Sequence, residues 1–563
     1  MKKSKLSLLL VLSLVLSMFL AACSGGDKET SKDDGKDKGA TKEVLAAKQE
    51  LNMLESAEIP TMDSVMSQDA LSFTTLNATN EGLYRLDQDQ NVVPGVADGM
   101  PTANADKTVY TIKLKKDVKW SNGDPVTAHD FVYAWQRAID PKTASPYGPY
   151  FLTDKIKNAT EIAKGEMKPS ELGIKALDDN TLEVTLVRPL PFFESFIAFP
   201  LFYPQNQKFV EAEGAKYGTS AEHILYNGPF KLEKWNGPTS SEWTLVKNDK
   251  YWNEKEITLT KVNFNVSKDP QASANAFEAG EADVTPRLAQ QAIISQYEGS
   301  PNLTRYLESS IWWLKMNEKN PVLKNVNIRK AIALSIDRKA LVNDVLANGS
   351  IEAGFIVPKQ FAKSPSGEDF RTDSNNYLAT DKDKAKELWK QGLTETGKKD
   401  ITLNFITQDT ESAKTEAAFI KDQLESTLEG LKLTITTVPF AVRLDREDKQ
   451  QYDLIESGWG PDYQDPMTYM DLWTTDSQQQ HMSYSNPEVD KLIKSAQTDL
   501  AAKAEERWKA LQDAEKIVVE DDAAVAPLYQ RQVNKLIRPT VKGLAHHDIG
   551  AEYDFYWTKI VEK

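Results

Sequence analysis

One short segment carries residue types that could bind a charged ligand: Gly458, Trp459, Gly460, Asp462 and Tyr463 lie close together. Glycines lack side chains, so their backbone polar groups can approach another chain closely, as when an extended peptide adds itself to a strand. A carboxylate such as Asp462 would then offer one fixed charge to a peptide's ammonium group through a charge-assisted hydrogen bond. The two aromatic residues would form walls of side-chain pockets. The segment predicts a site for an extended ligand that carries a cation.

The same segment is equally compatible with a plain loop. In that interpretation Asp462 or Asp465 caps a turn that contains proline, and the glycines only permit a tight bend. The spacing alone leaves both interpretations open.

The sequence lacks the motifs of common catalytic and cofactor sites. It has no Gly-x-Ser-x-Gly elbow, no Gly-x-Gly-x-x-Gly loop and no phosphate-binding P-loop. Its five histidines are scattered, apart from the adjacent pair His546-His547, whose side chains would point to opposite faces of a strand. We therefore expect no enzyme, no metal and no cofactor. The competing hypothesis is an exported peptidase or glycosidase, which would need a nucleophile, a metal or two carboxylates across a cleft.

The single cysteine, Cys23, follows Leu20-Ala21-Ala22 behind a basic and then apolar N-terminus. The apolar run over 6–20 is shorter than the ~20 residues of a membrane-spanning helix and has the layout of a secretory signal. The pattern resembles a bacterial lipobox. That resemblance implies removal of residues 1–22 and a lipid, palmitate included, on Cys23, which would hold the protein on the extracytoplasmic face of a Gram-positive cell membrane. The alternatives are an ordinary signal peptide with a chance cysteine, or a membrane anchor helix.

Length indicates the number of domains, and charge limits the possible partners. The 563 residues exceed one core of ~250–300 residues, so two or three domains are expected. The formal net charge is −15, and removal of residues 1–22 would make it more negative because they contain lysines and no acidic residue. Nucleic acid is therefore excluded as a partner, since phosphates require a basic face. Residues 23–48 are polar and lack aromatic residues, which predicts a disordered tether. We expect a monomer.

Short strands and helices alternate from Leu51 onward, which predicts a mixed α/β fold in several lobes. Thr127, with Asp130 three residues on, predicts the capped start of a helix that Pro141 ends. Alternation predicts strands over 109–114, 181–187 and 431–438. Helical spacing predicts helices over 128–139, 328–341, 381–392, 412–428 and 487–519.

Three longer segments carry a resemblance to a known family. They are 118–135 (VKWSNGDPVTAHDFVYAW), 227–232 (NGPFKL) followed by Tyr251-Trp252, and 325–338 (NVNIRKAIALSIDR). In this order they resemble the family 5 extracellular solute-binding proteins, the OppA-like oligopeptide-binding and dipeptide-binding receptors of ABC importers. The resemblance extends from about Leu51 to the C-terminus. Considered as residues, these segments predict turns and a helix of the scaffold rather than a site.

The resemblance implies a type II periplasmic-binding-protein-like α/β fold, with two lobes joined by hinge strands and three domains. Domain I would consist of 49–81, 206–309 and 533–563, domain II of 82–205, and domain III of 310–532. Receptors of this kind close their lobes around an oligopeptide and deliver it to the permease subunits of an ABC transporter.

The resemblance also implies roles for individual residues. In OppA-like receptors the Gly-Trp-x-x-Asp segment lines the cleft and its aspartate binds the peptide's amino terminus, which assigns this role to Asp462. By the same alignment, backbone near Gln68 to Ala70 should face Asp462 from the other lobe. Phe440 should stand where the family has an aromatic wall residue.

One position departs from the family pattern. Some members accept the C-terminal carboxylate of a short peptide with a basic residue just before the Gly-Trp strand, where this chain has Glu456. The carboxylate would then stay in water, or the ligand would be longer, or cationic side chains would be preferred. A signalling peptide (pheromone) or a non-peptide ligand, such as a metal chelate or an oligosaccharide, is the alternative on the same fold. Trp312, Trp313 and Trp459 would suit sugars as aromatic platforms.

Overall fold

Strands and helices alternate through the computed structural model, which describes residues 43–364, 366–371, 376–477 and 479–563. Cys23, the predicted signal peptide and residues 23–42 of the predicted tether lie outside the described residues, as do the side chains of Phe440 and Ala441. The strands are β1 (Glu50–Glu55), β2 (Tyr84–Leu86), β3 (Val92–Pro94), β4 (Thr102–Ala103), β5 (Val109–Lys113), β6 (Ile174–Asp178), β7 (Thr181–Thr185), β8 (Phe230–Glu233), β9 (Glu242–Lys247), β10 (Lys261–Val266), β11 (Leu303–Met316), β12 (Ile351–Glu352), β13 (Ile401–Gln408), β14 (Leu431–Val438), β15 (Leu454–Trp459), β16 (Val525–Leu536), β17 (Val541–Lys542), β18 (Ala545–His546), β19 (Tyr553–Asp554) and β20 (Lys559–Ile560).

Helices alternate with these strands along the chain. They are α1 (Ala70–Thr79), α2 (Ala128–Ile139), α3 (Gly148–Leu152), α4 (Ala159–Ala163), α5 (Phe193–Phe196), α6 (Gln207–Glu213), α7 (Pro270–Ala279), α8 (Gln291–Ile294), α9 (Val326–Ser335), α10 (Arg338–Ala340), α11 (Lys382–Thr396), α12 (Glu411–Thr427), α13 (Phe440–Asp448), α14 (Met467–Met470), α15 (Pro487–Gln497) and α16 (Ala504–Lys516). π-Helical turns extend α10 and α16 over Leu341–Leu346 and Ile517–Asp521.

Three larger sheets organise the described part of the chain. Their strand orders are β1-β10-β9-β8, β4-β5-β7-β6 and β12-β16-β11-β15-β13-β14. The third sheet is mixed, since β13 pairs in parallel with β14 and β15 while β11 pairs antiparallel with β15 and β16. This confirms the predicted mixed α/β fold.

Two long strands connect the regions assigned to domains I and III. β11 and β16 pair from Leu303 opposite Leu536 to Lys315 opposite Val525, with a register shift between Trp312 and Trp313 and a larger one between Leu307 and Ile311. Such a shift interrupts the ladder and bends the strand locally. The larger shift falls where the predicted boundary at 309/310 crosses β11, and both the domain boundaries and the hinge stay predictions.

Most predicted elements are present with close bounds. Strands β5, β7 and β14 confirm the three predicted strands. Helix α2 has the predicted bounds, and the Asp130 carboxylate accepts the Thr127 backbone N–H at 2.7 Å. This bond satisfies a donor that the first turn of a helix leaves without a partner.

The prediction of one helix over 328–341 was wrong. Helix α9 ends at Ser335, Ile336 is extended, and the Asp337 carboxylate caps a new helix by accepting the Ala340 N–H at 2.9 Å. The buried Arg338 guanidinium donates to the carbonyl of Ala333 at 3.1 Å, at the end of α9. An apolar repeat does not reveal such a break, because both short helices bury the same stripe. The helical periods predicted within 487–519 are confirmed as two helices, α15 and α16.

The folded unit begins slightly before the predicted end of the tether. Leu45 forms a β-bridge with Val561, and the Ala46 N–H donates to the Ile560 carbonyl at 2.9 Å. Residues 45–48 therefore belong to the folded unit and not to the tether over 23–48.

Candidate functional site

The predicted binding segment forms the end of β15 and the loop that follows it. β15 pairs with β11 as far as Trp459 opposite Ile311, but its described pairing with β13 stops at Ile455. From Glu456 to Trp459 one edge of β15 thus has no described strand beside it. Glu456 and Ser457 are buried and the Glu456 carbonyl accepts from Arg443 at 3.3 Å, so an extended ligand could add itself as a strand only along the outer part of this edge, from Gly458 onward.

The two glycines of the segment have different surroundings. A Cβ on Gly458 would lie 2.9 Å from Cε2 of Trp312, so the indole ring excludes any side chain at this position. A Cβ on Gly460 would meet nothing within 4 Å, and Gly460 is exposed. Gly458 is therefore required for packing, and only Gly460 has the open surroundings that the sequence suggested for both.

Asp462 is buried, and one of its two carboxylate oxygens is unsatisfied. It is 5% exposed, its backbone N–H donates to Thr468 Oγ1 at 2.9 Å, and its Oδ2 atom has no hydrogen-bond partner among the described residues. Burial raises the pKa of Asp462 well above its usual range, and the negative charge of the nearby Asp471 raises it further. A hydrogen bond from the Tyr150 hydroxyl lowers the pKa in part. A buried carboxylate of this kind gains most from a cationic partner.

The predicted pocket walls, Trp459 and Tyr463, contact a segment that lies far away in sequence. Tyr463 stacks on Phe192 with ring centroids 4.3 Å apart at 11°, and its hydroxyl donates to Asp471 Oδ2 at 2.7 Å. The Trp459 ring lies 6.0 Å from that of Tyr150, edge to face. Both aromatic residues thus bring domain II, as predicted from 82–205, against the binding loop.

Sequence reasoning missed the residues in and around α3 that lie near Asp462. Tyr150 places its hydroxyl 3.4 Å from Asp471 Oδ1, and Lys155 donates from Nζ to the Tyr150 carbonyl at 3.0 Å. Tyr147 lies near enough to Asp462 and Asp69 for both to raise its pKa, after burial as the main cause. The only local signal was the run Tyr147-Gly-Pro-Tyr150, which is also typical of a turn.

The predicted facing segment begins α1. Gln68 and Ala70 are exposed, whereas Asp69 between them accepts the Ser72 N–H at 2.8 Å and caps the helix. In the same helix Phe73 packs edge to face on Tyr147, with ring centroids 6.1 Å apart. Only Asp69 is thus linked to the Asp462 region, through Tyr147, and a ligand contact by Gln68 or Ala70 stays a prediction. Phe440 is the first residue of α13, and its side chain lies outside the described part of the structure.

Glu456 does not stand alone beside the strand. It is buried, it shares a hydrogen bond with Glu416, and it accepts from Thr407 Oγ1 at 3.2 Å, while Tyr529 donates to Glu416 at 3.0 Å. Burial raises the pKa of both carboxyl groups, and Glu416 raises that of Glu456 further. Two carboxyl groups in such contact hold one proton between them. The pair therefore carries one negative charge and not the two that a pair of free glutamates would carry.

A buried ion pair fixes the loop around Asp462. Arg507 on α16 donates to both oxygens of Asp465, at 2.9 and 2.6 Å, and Asp465 also accepts the Met467 N–H. A two-bond guanidinium–carboxylate pair is a strong and directional contact. The loop that carries Asp462 is thereby fixed to α16, in the region predicted to be domain III. No group of three or more metal-ligating side chains occurs among the described residues.

Comparisons with known proteins give a consistent set of relatives. The profile of the bacterial extracellular solute-binding proteins, family 5 (Middle), matches residues 91–481. A dipeptide-binding protein of Lactococcus lactis is 31% identical over 88% of this chain and 92% of its own. The solved structure of Listeria monocytogenes OppA bound to peptide is 43% identical, has a TM-score of 0.85, and covers 92% of this chain and 100% of its own. The pheromone receptor PrgZ is 35% identical, with the same TM-score and coverage.

Proposed function

The chain belongs to the family 5 bacterial extracellular solute-binding proteins, and we propose that it captures oligopeptides outside the cytoplasm and delivers them to an ABC permease. The solved relative with bound peptide and the dipeptide-binding relative support this choice of ligand. The protein would act by binding and release, without catalysis.

The observation that carries the proposal is the unsatisfied Oδ2 of Asp462 in the loop that follows β15, whose last residues lack a described strand on one side. A peptide could supply a partner to each feature. Its terminal ammonium could bind the Asp462 carboxylate, and its backbone N–H and C=O groups could pair with the strand. Backbone pairing from Gly458 onward would give affinity that does not depend on peptide sequence. Asp462 would fix the register by binding the amino terminus.

Lobe closure would bury the peptide. Tyr463 on Phe192 and Trp459 on Tyr150 are contacts between the predicted domains II and III that opening of the lobes would break. β11 and β16 would be the hinge strands, with the register shift between Leu307 and Ile311 as the point of bending. Water trapped around the peptide would accommodate varied side chains.

We propose that a lipid on Cys23 tethers the protein to the cell membrane. The support is the sequence of residues 1–23 alone, because these residues lie outside the described part of the structure. Among the described residues, none of the helices combines the length and apolar character that crossing a bilayer requires.

The test is to identify what the protein carries. The full-length protein would be purified in detergent and denatured, and the released small molecules analysed by mass spectrometry. A set of short peptides with free amino termini is expected. A metal chelate, a sugar or no peptide at all, even after incubation with a peptide library, would contradict the proposal.

A second candidate is a receptor for one signalling peptide, which the likeness to PrgZ favours. The same experiment separates the two functions. Many peptides of different sequence indicate nutrient uptake, whereas one defined peptide retained from a mixture indicates signalling.

A further inference from the structure

The edge of β15 that a ligand could use changes between Glu456 and Gly458. Residues two apart in a strand direct their backbone polar groups to the same edge, so these two residues share one edge. Arg443 Nη1 donates to the Glu456 carbonyl at 3.3 Å. Outside the ladder with β11, the Gly458 backbone has no hydrogen-bond partner among the described residues. The shared edge is therefore covered at Glu456 and uncovered at Gly458.

The covered edge is the one that faces β13. The strand order places β15 between β11 and β13, and α13, which carries Arg443, contacts β13. β11 already pairs with the opposite edge of β15. A ligand strand can therefore be added only on the side where Arg443 lies.

A buried ion cluster holds Arg443 in this place. Its Nη1 atom lies 2.7 Å from Glu447 Oε2, one turn further along α13. The other carboxylate oxygen of Glu447 lies 2.7 Å from Lys315 Nζ on β11, and Glu447 also accepts the Ser457 hydroxyl at 2.9 Å. All three charged side chains are buried. Because moving the guanidinium away would break a buried ion pair, Arg443 is a fixed obstacle on this edge.

The position of Arg443 limits how many ligand residues can pair with β15. A peptide whose ammonium binds Asp462 would run back toward Gly458, antiparallel to β15, because Asp462 follows Gly458 by four residues. In an antiparallel pair each ligand residue lies opposite one strand residue. About three ligand residues therefore reach Gly458, and about five would reach Glu456, where Arg443 covers the carbonyl.

We propose that Arg443 is a specificity-determining residue: it ends the backbone pairing between β15 and a peptide after about the third peptide residue, so that affinity stops rising with peptide length at that point. This rests on the proposed function, since the ligand is a peptide bound by its ammonium at Asp462. The later residues of a longer peptide leave β15 and form no backbone hydrogen bonds with it. Peptides of different length then bind with similar affinity.

The experiment measures affinity as a function of peptide length. Full-length protein, stripped of bound peptides by unfolding and refolding, is titrated in a calorimeter with unmodified alanine peptides of two to six residues. Their small side chains keep pocket preferences out of the comparison. For wild type we expect at least a threefold gain in affinity from two to three residues, the size of one additional backbone hydrogen bond. From three to six residues the affinity should stay within about threefold, and a larger gain over this range would overturn the proposal.

Two substitutions of Arg443 separate the place of its side chain from its ion pair. Arg443→Ala removes the side chain from the edge, whereas Arg443→Met keeps most of its length. Both lose the ion pair with Glu447, whose charge Lys315 still compensates, so both variants should fold. For Arg443→Ala the affinity should rise further up to five residues, where it should be at least fivefold higher than for three. Arg443→Met should show the wild-type length dependence.

A purely structural role of Arg443 predicts the same length dependence for both substitutions. That result, or a folded Arg443→Ala protein whose affinity stops rising at three residues, would overturn the proposal. Lys449→Ala, at an exposed position just after α13, is the matched control and should keep the wild-type length dependence. Failure of wild type to bind any of these peptides, or equal binding of the N-acetylated three-residue peptide, would instead contradict the proposed function, because no ammonium would then be recognised.

Methylation of the ligand backbone gives an independent test if variants of Arg443 fail to fold. N-methylation removes one amide donor and adds bulk against the strand. In the six-residue alanine peptide, methylation of either the second or the third residue should weaken binding to wild type at least fivefold, because one of these amides faces β15. Methylation of the fifth residue should change the affinity by less than about twofold, since that residue has left the strand. An equal loss at the fifth residue would overturn the proposal.

Discussion

Arg507 and Asp465 join α16 to the binding loop through two short hydrogen bonds, and both side chains are largely buried. Removal of one partner leaves a buried charge without compensation, which costs far more than the net contribution of the pair. The contact therefore links the stability of domain III to the position of Asp462, three residues before Asp465.

Arg507→Met should lower the free energy of unfolding by about 3–5 kcal/mol. Urea denaturation followed by tryptophan fluorescence measures this change. Lys509→Met on the same helix is the control, because its partner Asp513 is exposed, and it should change stability by at most about 0.5 kcal/mol. Equal effects of the two substitutions would show that the buried pair has no special role.

Gly458→Ala and Gly460→Ala should affect different properties. The new methyl at 458 would lie 2.9 Å from the Trp312 ring, so we expect a loss of about 1–3 kcal/mol in the free energy of unfolding. The methyl at 460 meets no protein atom, so stability should be unchanged, whereas peptide retention should fall if a ligand backbone passes there. Thermal unfolding and library retention measure the two effects. Full retention by Gly460→Ala would place the ligand backbone elsewhere.

The sequence predicts elements whose stabilising contacts are local. Helix α2 has the expected bounds because Thr127 and Asp130 satisfy each other's polar groups within one turn. The break after α9 depends on Arg338, whose guanidinium donates to the distant Leu378 carbonyl, and no local pattern reports such a contact.

The candidate site likewise contains one residue that local sequence reveals and several that only contacts with distant segments reveal. Asp462 stands out in the sequence because glycines and aromatic residues surround it. Tyr150, Lys155 and Asp471 lie near Asp462 because remote segments pack together, and as single residues they resemble many others in an acidic chain. Trp312, which explains Gly458, is adjacent only through the pairing of β11 with β15.

Asp462→Asn should abolish the preference for free amino termini and change the pH dependence of stability. Burial raises the pKa of Asp462 in the folded protein above that in the unfolded chain, so the unfolded chain loses its proton first as pH rises. Asp462 therefore destabilises the unliganded protein increasingly above about pH 4, the usual pKa of aspartate. Asp462→Asn should be more stable than wild type, by a margin that grows from pH 4 to pH 7. Exposed Asp499→Asn is the control and should show no such growth.

Cys23→Ser should release the protein from the cell. Without the thiol no lipid can be attached, and the remaining chain has no described helix that could hold it in a bilayer. Immunoblots of membrane and culture medium measure the distribution. Continued retention of Cys23→Ser at the membrane would contradict the lipid anchor.

Glu456→Gln should make the protein more stable at neutral and alkaline pH. The pair with Glu416 needs one shared proton, and burial together with mutual repulsion raises the pKa of Glu456 well above its usual range. The unfolded chain gives up this proton near pH 4.3, so the pair's contribution is fully present below that pH and is lost as pH rises through the folded pKa. An amide at 456 can keep the hydrogen bond to Glu416 without that proton. The midpoint of urea unfolding is measured from pH 5 to pH 9. With rising pH it should fall less steeply for Glu456→Gln than for wild type. Parallel curves for the two proteins would show that the two carboxyl groups titrate independently.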